Sequence, residues 1–229
     1  ITSASQIEAI NIPSLQAIHS KLFGYADDFR FVIVGNVDLN TLKPLVEKYI
    51  GSLPTSKKVE YAVVDDGVRF AEGNVVNDFR TAMQQPKVSV RLVYTGDMEY
   101  NAKNRLIVDL LIRALDSRYM ISIREEKGGT YGVSVQGGID EYPVEEYMMA
   151  IVFDTNEQLA DELVEICDKE IKKIAEEGPL ADDVAKSKEF LQKNYNNVLE
   201  NNGGWMSAIT RWYEEGYNFK EEYLGVLES

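Results

Sequence analysis

Histidine is almost missing from this chain: among 229 residues there is one, His19. A zinc peptidase centre of the usual kind needs two histidines on one helical face with a glutamate beside them. His19 stands among Gln16, Ala17, Leu22 and Phe23, with no His-x-x-Glu-His and no reversed form of it. It reads as a partly exposed helical residue, and no metal site is expected in this chain. Cysteine is as scarce. Cys167 alone excludes an internal disulfide and a cysteine metal cluster. It shares a helical stripe with Leu163, Ile166 and Ile171, the place of a small core residue. A Cys-His pair or a Ser-His-Asp triad would have to draw on His19, and no Gly-x-Ser-x-Gly elbow occurs. Basic residues are outnumbered 24 to 38, for a net charge of −14. Such a surface repels phosphate backbones, so nucleic acid is not expected as a partner, whereas basic peptides are attracted at long range. No apolar run reaches the roughly 18 residues a membrane-spanning helix needs. The chain starts Ile1-Thr2-Ser3 instead of with methionine and shows no basic-then-apolar leader pattern. It reads as a piece of something longer.

What is present is ordinary globular material, long enough for one large or two modest domains. Residues 12–23 read as a helix, with Pro13 in its first turn, Leu15, Ile18 and Leu22 on one face, and Gly24 as its stop. The run Phe29–Val34 is apolar enough for a central strand. Asp38 then caps a helix over about 39–50, ended by Gly51-Ser52-Leu53-Pro54. Composition shifts at 55–67, which is polar and without period, a linker. Residues 1–54 are therefore expected to close a preceding α/β domain, and 68–229 to form a second one.

In that second domain, residues 68–82 read as one or two strands around Gly73-Asn74. Val88, Val90, Leu92 and Tyr94 alternate with polar residues in a half-buried strand. A helix over about 101–122 carries Ile107, Leu110, Leu111, Ala114 and Leu115. Residues 130–153 alternate twice, through Tyr131, Val133 and Val135 and then through Tyr147, Met149, Ile151 and Phe153, as a hairpin would. Helices over about 157–176 and 180–200 follow, and a last one holds Trp205, Trp212 and Tyr213. Strands before helices, with a hairpin, predict an α+β domain: a mostly antiparallel sheet with helices packed on one face.

The glycine pairs Gly128-Gly129 and Gly203-Gly204 lack the spacing of phosphate-binding loops and read as turns. The acidic pairs, such as Asp65-Asp66 and Glu145-Glu146, consist of adjacent residues that face apart, as on a solvated surface. The corner from Ile123 to Val135 is different. It runs from a helix end through Gly128-Gly129 into a strand, with Arg124 and Tyr131 at its two ends. Both are donors that can point at a carbonyl oxygen. On their own terms they could equally be a helix-end cation paired with Glu125 or Glu126 and a hairpin side chain packed on the sheet.

The segment Ile-Arg-Glu-Glu-Lys-Gly-Gly-Thr-Tyr-Gly-Val-Ser-Val, residues 123–135, resembles the C-terminal half of insulinase/pitrilysin-type zinc metallopeptidases. So do Phe31–Asp38 with Leu42 and Tyr49–Pro54, and Gln85–Val90. The resemblance implies a metallohydrolase domain of the insulinase/mitochondrial processing peptidase type. It implies two halves closing like a clamshell around peptide substrates. Zinc, absent from this part, would sit in an N-terminal half on the same chain or a partner chain. It implies that Arg124 and Tyr131, with Gly128 and Gly129 supporting their loop, bind the substrate carbonyl beside that zinc. An alternative it leaves open is a catalytically dead member that serves as a peptide-binding or assembly subunit.

Overall fold

The computed structural model describes residues 3–56, 63–125, 127–128, 130–216, 218 and 225. It resolves into two compact units, Ile1–Ala62 with Asn201–Thr210, and Val63–Glu200 with Arg211–Ser229.

The described residues of the first unit's N-terminal stretch carry three helices, α1 (Ala4–Glu8), α2 (Ile12–Phe23) and α3 (Leu39–Tyr49). Each starts at a polar cap, as orphan amide groups require. Ser3 accepts from the Gln6 amide, Asn11 from Ser14 and Asp38 from Asn40. The bounds of α2 are those expected from the sequence. None of the three helices buries a residue. The expected strand over Phe29–Val34 is not formed; that stretch is irregular. A strand is held by its neighbours' ladder bonds, and among the described residues of this unit no strand stands beside it. Its rings meet edge-on along the chain instead, Phe23 to Phe29 at 6.0 Å and Phe29 to Phe31 at 6.1 Å between centroids.

The second unit is built on three strands, β1 (Val88–Asp97), β2 (Val133–Asp140) and β3 (Glu146–Thr155), in the order β1-β3-β2 with both pairings antiparallel. The register sets side chains in rows across the sheet. Val90, Phe153 and Val133 form one row, and Leu92, Ile151 and Val135 the next. Helix α4 (Ala102–Tyr119) and helix α5 (Ala160–Glu177) cover that face with Leu115, Tyr119, Leu163 and Cys167. Each large apolar side chain sealed there contributes about 1.5–3 kcal/mol. Helix α6 (Ala181–Glu200) buries Ser187, Leu191 and Tyr195; the last helix, α7 (Asn202–Glu215), belongs to the first unit up to Thr210 and to the second from Arg211. This is the expected antiparallel sheet with helices on one face.

Residues 68–82 are irregular, not the expected strands, and Val76 is 91% exposed. Just before them, Asp65 accepts the Gly67 amide and Asp66 the Val68 amide, both at 2.9 Å. These local turns take up the donors with which a ladder would begin. On α4 the expected Ala114 and Leu115 are buried and Leu111 packs against the core, but the start of the stripe is shifted. Ile107 is exposed, while Leu106, Val108, Arg118 and Tyr119 are buried.

Two polar ties hold the helices. The Tyr119 hydroxyl donates to the Cys167 carbonyl at 3.0 Å. The buried Arg118 guanidinium reaches Glu170 on α5 at 3.0 Å and Asp183 on α6 at 3.3 Å. Cys167 is fully buried, and burial pushes its thiol up from 9.0 to about 12. The thiolate is the reactive form. A thiol-alkylating reagent at pH 8 is therefore expected to leave the native chain unlabelled and to label it once unfolded. Rapid native-state labelling would contradict this packing. The sign for stability follows from the same shift. The unfolded chain loses this proton first, so the contribution is full below about pH 9 and is lost as pH rises towards 12.

Candidate functional site

Helix α4 does not end in an ordinary turn. Its last residues pass into a π-helical segment, Met120–Glu125. Such widened turns are rare and concentrate at functional sites. The segment is anchored by Ile123, which is fully buried under the sheet, and its next residue, Arg124, is exposed. The Arg124 Nη1 lies 3.2 Å from the Met120 Sδ, one turn back. Among the described residues its guanidinium meets no carboxylate, so the helix-end ion pair with Glu125 is not formed. Glu126 lies outside the described residues.

The connection then turns at Gly128, whose φ is +61°. That left-handed conformation favours glycine, and its amide donates back to the Arg124 carbonyl at 3.1 Å. Gly129, expected to share this role, lies outside the described residues. Lys127 pairs with Glu162 at the start of α5, tying the loop to the helix layer. Thr130 closes the far side: its hydroxyl donates to the Gly132 carbonyl at 2.8 Å and accepts the Gly132 amide at 3.2 Å.

Tyr131 was expected to lead the alternation of the hairpin. Instead β2 starts at Val133, and Tyr131 stands before it, fully exposed, in a bend. It packs on nothing in the sheet because the Thr130–Gly132 turn rotates it out of the Val133, Val135 face. The two expected donors thus sit at either end of one braced connection, both directed to the exterior of their unit. Arg124 brings a fixed positive charge and planar donors, and Tyr131 brings a phenol.

Sequence reasoning missed the bracing residues. Met120, Lys127 and Glu162 carry no local pattern; only their folded neighbours give them a part. Among the described residues, no three His, Cys, Asp or Glu side chains are grouped to hold a metal ion. His19 is exposed and lies beside the Phe23 ring at 5.2 Å, and Cys167 keeps its proton. The residues described here do not fit a zinc ion. No helix among them is long and apolar enough to cross a membrane.

Comparison with known proteins agrees with this fold. Residues 9–191 match the model of the peptidase M16 inactive domain. A zinc protease PQQL-like protein of Arabidopsis thaliana is 24% identical over 198 residues, which cover 81% of this chain and 21% of that protein. The crystal structure of the periplasmic protease PqqL from Escherichia coli superposes with a TM-score of 0.74 at 20% identity, covering 99% of this chain and 25% of that one. A peptidase M16 inactive domain from Pseudomonas fluorescens superposes with a TM-score of 0.68 at 15% identity, over 99% of this chain and 53% of that one. The chain therefore spans about a fifth of that curated relative's length. With most of its residues under the family's model, the chain belongs to the inactive-domain family of the M16 zinc peptidases.

Proposed function

We propose that this chain is the accessory, zinc-less part of a metalloendopeptidase, and that it lends Arg124 and Tyr131 to a peptide-cleaving site whose zinc is held by an N-terminal half. The observation that carries this reading is the state of the two side chains. An arginine and a tyrosine that served only the fold would be engaged by it. Tyr131 is fully exposed, and Arg124 has no acidic partner among the described residues, while the connection between them is tied at several points. Described residues tied at several points, with uncommitted donors on either side, are the arrangement a substrate-binding corner needs, because part of the cost of ordering has been met before substrate arrives.

The chemistry follows from the donors. When a peptide carbonyl is attacked, negative charge gathers on its oxygen. A guanidinium and a phenol facing that oxygen stabilise the charge more than they stabilise the neutral carbonyl, and the barrier falls. Zinc bound to the other half would supply the activated water.

Tyr131→Phe in the full-length protein tests this, since it removes one hydroxyl and nothing else. The expected result is a fall in kcat/KM for peptide hydrolysis of about tenfold or more, with zinc content unchanged. Wild-type turnover in that variant would remove Tyr131 from the site.

A further inference from the structure

Among the described residues strand β2 lies at the edge of its sheet, whose order is β1-β3-β2. Every second amide of such a strand points away from its only neighbour. Val135, whose side chain is buried, donates its amide to the Asp116 Oδ1 of α4 at 3.0 Å. Asp116 lies eight positions before Arg124 and Val135 four positions after Tyr131, so this one bond joins the two arms of the corner.

The neighbouring charges do not explain Asp116. Arg113 is paired with Asp109, and Arg118 with Glu170 and Asp183. Among the described residues the half-buried Asp116 carboxylate has the Val135 amide as its hydrogen-bond partner. A helix built only for packing would place an apolar residue at that position. We propose that Asp116 is a positioning residue: it fixes strand β2 against α4 and thereby sets Tyr131 at a constant place relative to Arg124. The inference rests on the substrate-carbonyl role given to those two side chains. A misplacement of about 1 Å at a reacting group can cost about a hundredfold in rate, so such a tie can govern activity without touching substrate.

The test uses the full-length protein, a fluorogenic peptide and hydrogen exchange read by mass spectrometry. Asp116→Ala is expected to lower kcat/KM by roughly ten- to a hundredfold. Asp116→Asn keeps an oxygen acceptor for the amide and is expected to stay within about threefold of wild type. In a Tyr131→Phe background, Asp116→Ala is expected to cost little more, because the group it places has already lost its hydroxyl. Amides of the peptide covering 124–135 are expected to exchange faster in Asp116→Ala and at the wild-type rate in Asp116→Asn. Unchanged exchange in Asp116→Ala overturns the proposal. So does an asparagine variant as impaired as the alanine one, or a full additive loss in the Tyr131→Phe background. If Arg124→Ala and Tyr131→Phe are both silent while Asp116→Ala still loosens the corner, the tie stands and the carbonyl-binding role falls.

Discussion

Arg124→Ala in the full-length protein is expected to lower kcat for peptide hydrolysis by about 10²–10³. The magnitude is that of deleting one preorganised donor from an oxyanion site. The loss falls on kcat because the charge that Arg124 meets exists fully only in the transition state. Zinc content is expected to stay at the wild-type level, since no zinc ligand is assigned to the corner. Stability is expected to change by no more than about 0.5 kcal/mol, because the side chain is exposed and its hydrogen-bond partner among the described residues is the Met120 sulfur. Arg124→Lys keeps the charge and loses the planar fork, so it should recover only part of the rate. Steady-state kinetics with metal analysis and a thermal melt checks all three. A variant that turns over normally contradicts the assignment, and one that loses zinc or melts early shows a structural role instead.

Arg118→Ala is expected to have the opposite profile. Arg118 is 8% exposed and holds Glu170 and Asp183, whose side chains are 23% and 11% exposed. Removing it leaves two carboxylates facing an emptied, poorly solvated space between α4, α5 and α6. Deleting one partner of such a buried network costs about 3–5 kcal/mol, more than any exposed pair in the molecule contributes. Denaturant unfolding of the sheet-bearing unit should show the shift. A loss under about 1 kcal/mol would mean that water or the neighbouring helices satisfy the two carboxylates without the arginine.

The two variants separate what was legible in the sequence from what was not. Helix α2, the β1 strand, the hairpin and the helical tail each carry a local signal, a cap or a period, and each forms close to where that signal lies, the hairpin without Tyr131. The apolar run Phe29–Val34 carries the same kind of signal and forms no strand. Periodicity reports which faces want burial, and only a neighbouring strand can supply the ladder. The 68–82 segment fails for a related reason, with aspartate-based turns engaging its leading amides.

At the corner, the residue types and spacing of Arg124 and Tyr131 were legible, but their surroundings were not. The π-helical segment depends on Ile123 being drawn under the sheet, and the exposure of Tyr131 depends on the Thr130 turn. Asp116 reads in sequence as one more polar residue on an amphipathic helix. It gains meaning only when the strand 19 positions later folds against it.

The most direct test is a structure of the full-length protein, trapped with a peptide across its cleavage site. The measured quantity is the separation between the scissile carbonyl oxygen and the two donors. Distances of about 2.7–3.1 Å to the Arg124 guanidinium and the Tyr131 hydroxyl are the expected result. Both side chains turned to solvent, with the carbonyl held by other groups, would contradict the account.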